Sequence, residues 1–334
     1  MIHPHAADIA QTLVDWFTRY GKDYPWRRTT DPWAILVSEI MLQQTTIPTV
    51  LARYEAWMQQ YPTPAHLAAA TEEEALRSWE GLGYYRRVRA LQAAARVIVE
   101  KFEGIFPDSA TDILTLPGVG EYTVGAILSF AWNRPAPLVD ANVSRVFARL
   151  CNDATPIDSP QGKREQWEMA AAMVHQDNPR AYNSALMELG QTICTHSEPS
   201  CIICPVRKYC LAEDPSSLPV KMPTKAVTTM AHHDIWVVSN QGILLEKQAE
   251  GTRHAGMYRL PQRPESEVRH LPHLCNQQYN VTRYKVTRSL YLADAAHTTP
   301  LPGEEYVPLS SLDAIPIASP DRKLIIRFLE KAAD

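Results

Sequence analysis

The chain has 334 residues, 45% of them hydrophobic and 21% charged, with a formal net charge of −4. That length supports two ordinary cores, and a slightly acidic total does not by itself point to nucleic acid, so any phosphate contact has to come from a local basic face. Met1 to Tyr20 breaks its apolar residues with His3, His5, Asp8, Asp15 and Arg19, which argues against a secretory leader, and no stretch is apolar enough to span a membrane, so a cytoplasmic protein is expected.

From about residue 6 to 210 the apolar residues recur mostly at helical spacing. Pro48 can open a helix through Val50, Leu51 and Tyr54, because its missing N–H is not needed in a first turn. Val88, Leu91, Ala95, Ile98 and Phe102 fall on one face of a later helix that also carries Arg86, Arg87, Arg89 and Arg96. Next comes Leu116-Pro117-Gly118-Val119-Gly120. Its glycines permit a tight turn, and its N–H groups with the following helix N-terminus could take a phosphate oxygen, so the segment reads as a DNA-backbone clamp.

Four cysteines close the helical stretch with the spacing Cys194-x6-Cys201-x2-Cys204-x5-Cys210. Clustered thiols in a chain without a disulfide pattern suggest metal binding. One tight loop could supply four thiolates to a [4Fe-4S] cluster, with tetrahedral zinc as the alternative. Residues 211–231, with Pro215, Pro219 and Pro223, read as a linker. Beyond it the period becomes two. Ile235 to Val238, Asn240-Gln241-Gly242 and Ile243 to Leu245 read as a hairpin, Tyr284 to Leu292 as a strand, and Lys323 to Leu329 as a closing helix. The expected domains are a helical one over residues 1–212, a linker over 213–231 and a smaller α+β one over 232–334.

The clamp, the segment Leu138-Val139-Asp140-Ala141-Asn142-Val143 and the cysteine run together resemble the helix-hairpin-helix DNA glycosylase superfamily. Within it, Pro25-Trp26-Arg27, Ser38-Glu39-Ile40-Met41-Leu42-Gln43-Gln44-Thr45 and Gly81-Leu82-Gly83-Tyr84-Tyr85 resemble the MutY adenine glycosylases over about residues 8–215. The resemblance implies an all-α helix-hairpin-helix domain with a [4Fe-4S] loop held by Cys194, Cys201, Cys204 and Cys210, then a Nudix-like α+β domain. It implies a monomer acting on double-stranded DNA that contains adenine mispairs. Removing adenine needs a proton for the departing base and an anion near the sugar. Glu39 matches the acid, and Leu36 and Leu42 around it predict partial burial and a raised pKa. Asp140 matches the stabilising anion, with Tyr122 and Asn142 completing the catalytic set. Tyr122 stands where bifunctional relatives carry a Schiff-base lysine, so strand cleavage is not expected. The resemblance gives Gln44 and Tyr84 as the residues that fill the gap left by an extruded base. It gives Arg86, Arg87, Gly118, Val119 and Gly120 as further DNA contacts, and Trp26, Arg27, Leu42, Ile47 and Glu188 as the adenine pocket and its surround. In the C-terminal domain the family's Phe-Ser-His signature is absent, and Val286-Thr287-Arg288-Ser289-Leu290 stands in its place. Arg288 and Ser289 are therefore the candidates for reading the opposite base. A glycosylase of the same fold with altered base choice, or a non-catalytic mismatch-binding protein, are the alternatives.

Overall fold

The computed structural model describes residues 3–223, 227–252, 254–281 and 284–333. Residues 1–2 and 334 of the expected domains, and 224–226 of the expected linker, lie outside them. Two compact units are present: Met1–Ala68 with Ala90–Pro223, and Ala69–Arg89 with Thr224–Asp334.

In the first unit the chain runs through α1 (Ala6–Tyr20), α2 (Pro32–Leu42), α3 (Ile47–Gln60) and α4 (Pro64–Ala69). Past α5 (Glu72–Ser78) come α6 (Arg86–Lys101), α7 (Ala110–Leu114), α8 (Glu121–Trp132), α9 (Ala141–Leu150), α10 (Pro160–Met173) and α11 (Pro179–Thr192). Pro32 sits at the start of α2 and the Asp31 side chain caps it by accepting from the Trp33 N–H at 3.0 Å. Every residue from Trp33 to Met41 is buried, so α2 lacks a solvent face and lies in the interior. That placement carries its one acid, Glu39, into the core. Helices α1 and α9 pack on α11 around Leu13, Phe147, Tyr182 and Leu186.

The second unit joins α5 and its following turn to two sheets. One is ordered β1 (Thr228–Trp236), β6 (Tyr284–Leu292), β5 (His273–Val281), with β1 parallel and β5 antiparallel to β6. The other is built on β3 (Gly242–Lys247), which pairs with β2 (Val238–Ser239), β4 (Tyr258–Arg259) and β7 (Glu304–Val307). Helices α12 (Glu265–Val268) and α13 (Ser319–Ala333) complete it. The strand at Tyr284–Leu292 is where the alternation placed it, and the expected hairpin turns at Asn240-Gln241, but only Val238 and Ser239 of its first arm pair with β3, because Ile235 and Trp236 belong to β1 and pair with β6. Strand β1 begins at Thr228, inside the segment expected as linker, because its backbone pairs with β6 from Tyr284 onward.

Along β6 the residues alternate, with Val286, Arg288 and Leu290 buried. Arg288 is 2% exposed and is held between Asp234 of β1 and Asp321 of α13. Its guanidinium is therefore spent inside the unit instead of facing an opposite base. Ser289 lies on the other face of the strand, where its Oγ donates to Asn276 Oδ1 at 2.9 Å.

Candidate active site

Glu39 is 4% exposed, and burial pushes its carboxyl up from the ordinary 4.5 to about 7. The hydrogen bond from Tyr122 works the other way: its hydroxyl donates to Glu39 Oε2 at 2.8 Å. The nearby Asp140 charge raises the pKa further, and Arg27 lowers it. A carboxyl poised near neutrality in a buried site can hold a proton and give it up in the same turnover. The sequence predicted a half-buried acid; the structure buries it more deeply because every residue of α2 from Trp33 to Met41 is buried.

Asp140 caps α9, its Oδ1 accepting from the Val143 N–H at 2.7 Å and its Oδ2 from Asn142 Nδ2 at 3.0 Å. Both carboxylate oxygens thus have a fixed direction at a helix N-terminus. Arg145 carries the order onward, with Nη2 donating to Asn142 Oδ1 at 2.9 Å and to the Gly190 carbonyl at 2.7 Å. Its Nε donates to the Cys194 carbonyl at 2.8 Å. Arg145 had no distinguishing signal in the sequence, since its acceptors are carbonyls brought together by folding.

A cavity of about 170 Å³ opens beside Glu39, an order of magnitude more than one water needs. Trp26, Arg27, Leu42 and Ile47, expected at an adenine pocket, line it together with Phe17, Tyr24, Ser184 and Met187, which were not anticipated. Trp26 stacks on Tyr24 with ring centroids 5.1 Å apart and meets the edge of Tyr54 at 5.5 Å. Glu188 does not line the cavity. Buried at 2% exposure, it accepts from the Lys22 N–H at 3.1 Å and pairs with Arg27, whose guanidinium lies over the rings of Phe17 and Tyr24 at 4.9 and 4.8 Å. The pair fixes one wall. Apolar and aromatic walls with a few directed polar groups suit a flat heteroaromatic ligand.

Gly118 has φ +78° and Gly120 precedes α8, whose N-terminus has no side-chain cap. The Val119 N–H closes the turn on the Leu116 carbonyl at 3.1 Å. A Cβ at Gly118 would meet the Cβ of Ala90 at 2.7 Å. Gly118→Ala should therefore lower stability by about 1–2 kcal/mol and weaken duplex binding, as read by thermal melting and a binding titration. Gln44 and Tyr84 are both exposed non-glycine residues with left-handed backbone, at φ 56° and 48°. Strain of that kind gathers at functional positions, at about 1–3 kcal/mol each. Arg86 is exposed at the start of α6. Arg87, expected at the DNA surface, is 8% exposed instead and donates to the carbonyls of Leu82 and Gly83 at 2.8 and 3.1 Å.

Cys194, Cys201, Cys204 and Cys210 are unbridged and surround one small cavity with Arg149 and Arg207. Arg149 is 1% exposed; its Nη1 donates to Cys194 Sγ at 3.3 Å and to the Thr195 carbonyl at 2.6 Å. Among the described residues no three His, Cys, Asp or Glu side chains converge tightly enough to chelate a single metal ion.

Residues 37–170 match the family model described as HhH-GPD superfamily base excision DNA repair protein. This segment contains Glu39, Tyr122 and Asp140. The chain belongs to the helix-hairpin-helix superfamily of base excision DNA repair proteins. Among curated members of the superfamily, the adenine DNA glycosylase of Arabidopsis thaliana is 37% identical over 289 residues, covering 77% of this chain and 45% of the relative. The adenine DNA glycosylase of Mycobacterium tuberculosis is 40% identical over 203 residues, covering 60% of this chain and 66% of the relative. The chain thus spans less than two thirds of the length of either. Among solved structures, a thermostable thymine-DNA glycosylase superposes with TM-score 0.57 at 30% identity, covering 61% of this chain and 94% of that one.

Proposed function

We propose that this chain is a monofunctional DNA glycosylase that extrudes adenine mispaired with 8-oxoguanine or guanine and hydrolyses its glycosidic bond. The observation that carries the reading is the buried Glu39 carboxyl, with a pKa of about 7, beside Asp140 and a cavity with aromatic walls. Protonated Glu39 gives its proton to a ring nitrogen of the leaving base, which lets the bond electrons depart onto a neutral purine. The sugar gains oxocarbenium character, and the Asp140 carboxylate stabilises that charge until water adds. Tyr122 holds the Glu39 carboxyl by its hydrogen bond, and a phenol has no amine with which to form a Schiff base. The curated relatives named adenine DNA glycosylase support the choice of base. Asp140→Asn keeps a good helix cap but removes the charge, so base release should fall about 10²-fold in single-turnover assays while the melting temperature stays nearly constant.

The spacing of the four cysteines, which line one small cavity with Arg149 and Arg207, supports a [4Fe-4S] cluster over one zinc ion, whose sites usually show two short cysteine pairs. Bound there, a cluster would fasten the cysteine loop to α9, where Arg145 and Arg149 already meet it. The sheets of residues 232–334 are read as a Nudix-like domain that examines the opposite base. The burial of Arg288 leaves Ser289 as the candidate contact with the opposite base. No helix among the described residues is long and apolar enough to cross a membrane, and we take the protein to act as a cytoplasmic monomer on duplex DNA.

A duplex with adenine opposite 8-oxoguanine should lose free adenine while its strand stays intact until treated with alkali. Strand cleavage without alkali, or a covalent complex trapped by borohydride, contradicts the monofunctional reading.

A further inference from the structure

Tyr84 sits in a turn that belongs to the same compact unit as residues 224–334, whereas Glu39, Tyr122 and Asp140 belong to the other unit. The turn is bound from the C-terminal side at three points. Arg322 of α13 pairs with Glu80, the residue just before Gly81 (φ +92°), where the backbone turns. Tyr85 Oη and Ser319 Oγ share a hydrogen bond at 3.4 Å, and the Tyr85 ring lies edge-on to His254. Arg89 donates to the Ala255 carbonyl, and its Nε donates to Glu72 Oε1 at 2.7 Å.

Arg322 is aimed before it meets Glu80. Its Nη2 donates to the carbonyls of Leu312 and Ile315 at 3.2 and 3.0 Å, so the guanidinium is anchored within the C-terminal segment. The two paired side chains are only 16% and 17% exposed, which makes the contact stronger than an ordinary surface ion pair. Inside the turn, Trp79 Nε1 donates to the Gly83 carbonyl at 3.0 Å, and Arg87 lies 5.5 Å from the Tyr84 ring centroid. A tyrosine at φ 48° persists only when its surroundings over-determine it, and its neighbours Glu80, Tyr85 and Arg89 are each held by α13 or the 254–255 loop.

We infer that Arg322, acting through Glu80, is a positioning residue for Tyr84, so that the C-terminal residues set the wedge used in base extrusion. This rests on the reading of the chain as a base-flipping glycosylase. On that reading the C-terminal residues act on two steps, opposite-base choice and, through the wedge, adenine extrusion.

The test uses the full chain with 2-aminopurine, an adenine analogue whose emission rises on unstacking, placed opposite 8-oxoguanine. Adenine release under single turnover is followed in parallel. Glu80→Gln removes the charge from the turn but leaves the bonds of Arg322 to Leu312 and Ile315 in place. Its unstacking signal and release rate should fall about 10–100-fold. The pH midpoint of release should stay near 7, the protein's melting temperature should hold, and Glu80→Asp should recover part of the loss. Wild-type unstacking and release in Glu80→Gln would overturn the inference, as would a rate loss matched by a fall in melting temperature. If the wild-type chain itself releases no adenine, it is the glycosylase reading that fails.

Discussion

Glu39→Gln should slow adenine release by about 10²–10⁴-fold, the span ordinarily supplied by a positioned general acid. The same substitution should make the folded protein harder to melt above neutral pH. Glu39 has its pKa raised from 4.5 to about 7 by burial, so the fold favours the protonated form. Below pH 4.5 the acid is neutral in both folded and unfolded chains and burial exacts no ionisation penalty. As the pH climbs toward 7 the unfolded chain gains stability by ionising, and above 7 the folded protein carries a buried carboxylate. That difference is worth about 3 kcal/mol. Glutamine keeps the shape and can accept from the Tyr122 hydroxyl, so the variant avoids the penalty. Melting curves of both proteins at pH 5 and pH 8 check it: the curves should nearly coincide at the lower pH, with the variant higher at the upper. The wild-type rate should decline as pH rises through 7, because the active form is the acid. A variant that is inactive and equally unstable at both pH values would point to misfolding rather than to loss of a proton donor.

Arg288→Ala should destabilise the C-terminal unit by about 3–5 kcal/mol, because it leaves Asp234 and Asp321 buried without their cation. Asp234 is 0% exposed, and burial already pushes its carboxyl up to about 6 with Arg288 in place. Without the arginine it rises further, so the damage should be smallest near pH 5 and grow toward pH 8, as read by thermal melting across that range. If Arg288 were instead a reader of the opposite base, the variant would melt normally and lose only its preference between partner bases. The burial predicts the opposite pattern.

The difference between these two residues shows what the amino-acid sequence could tell in advance. Glu39 is picked out by the resemblance, and Leu36 and Leu42 around it point only to partial burial; the burial of nine consecutive residues of α2 comes from the fold. Asp140 is picked out by the resemblance as the anion near the sugar, and its cap on α9 is a local feature that the structure adds. The cysteine spacing and the alternation in β6 are local signals in the sequence itself. Arg145, Arg149 and Arg288 were not legible as buried cations, because each meets carbonyls or carboxylates that only the folded chain delivers, while Arg87 folds back onto the carbonyls of Leu82 and Gly83. Strand β5 escaped notice because His273 to Val281 is largely polar and becomes a strand by pairing with β6. The grouping of residues 69–89 with 224–334 is likewise a property of long-range contacts, and composition holds no trace of it.

The most direct test is single-turnover base release from duplexes that pair adenine with 8-oxoguanine, guanine, cytosine or thymine, with a thymine–guanine duplex alongside. Free adenine should appear opposite 8-oxoguanine and guanine, with little opposite cytosine or thymine, and Glu39→Gln should form it about 10²–10⁴-fold more slowly. Release of thymine from its guanine mispair, or no free base from any duplex, would contradict the account.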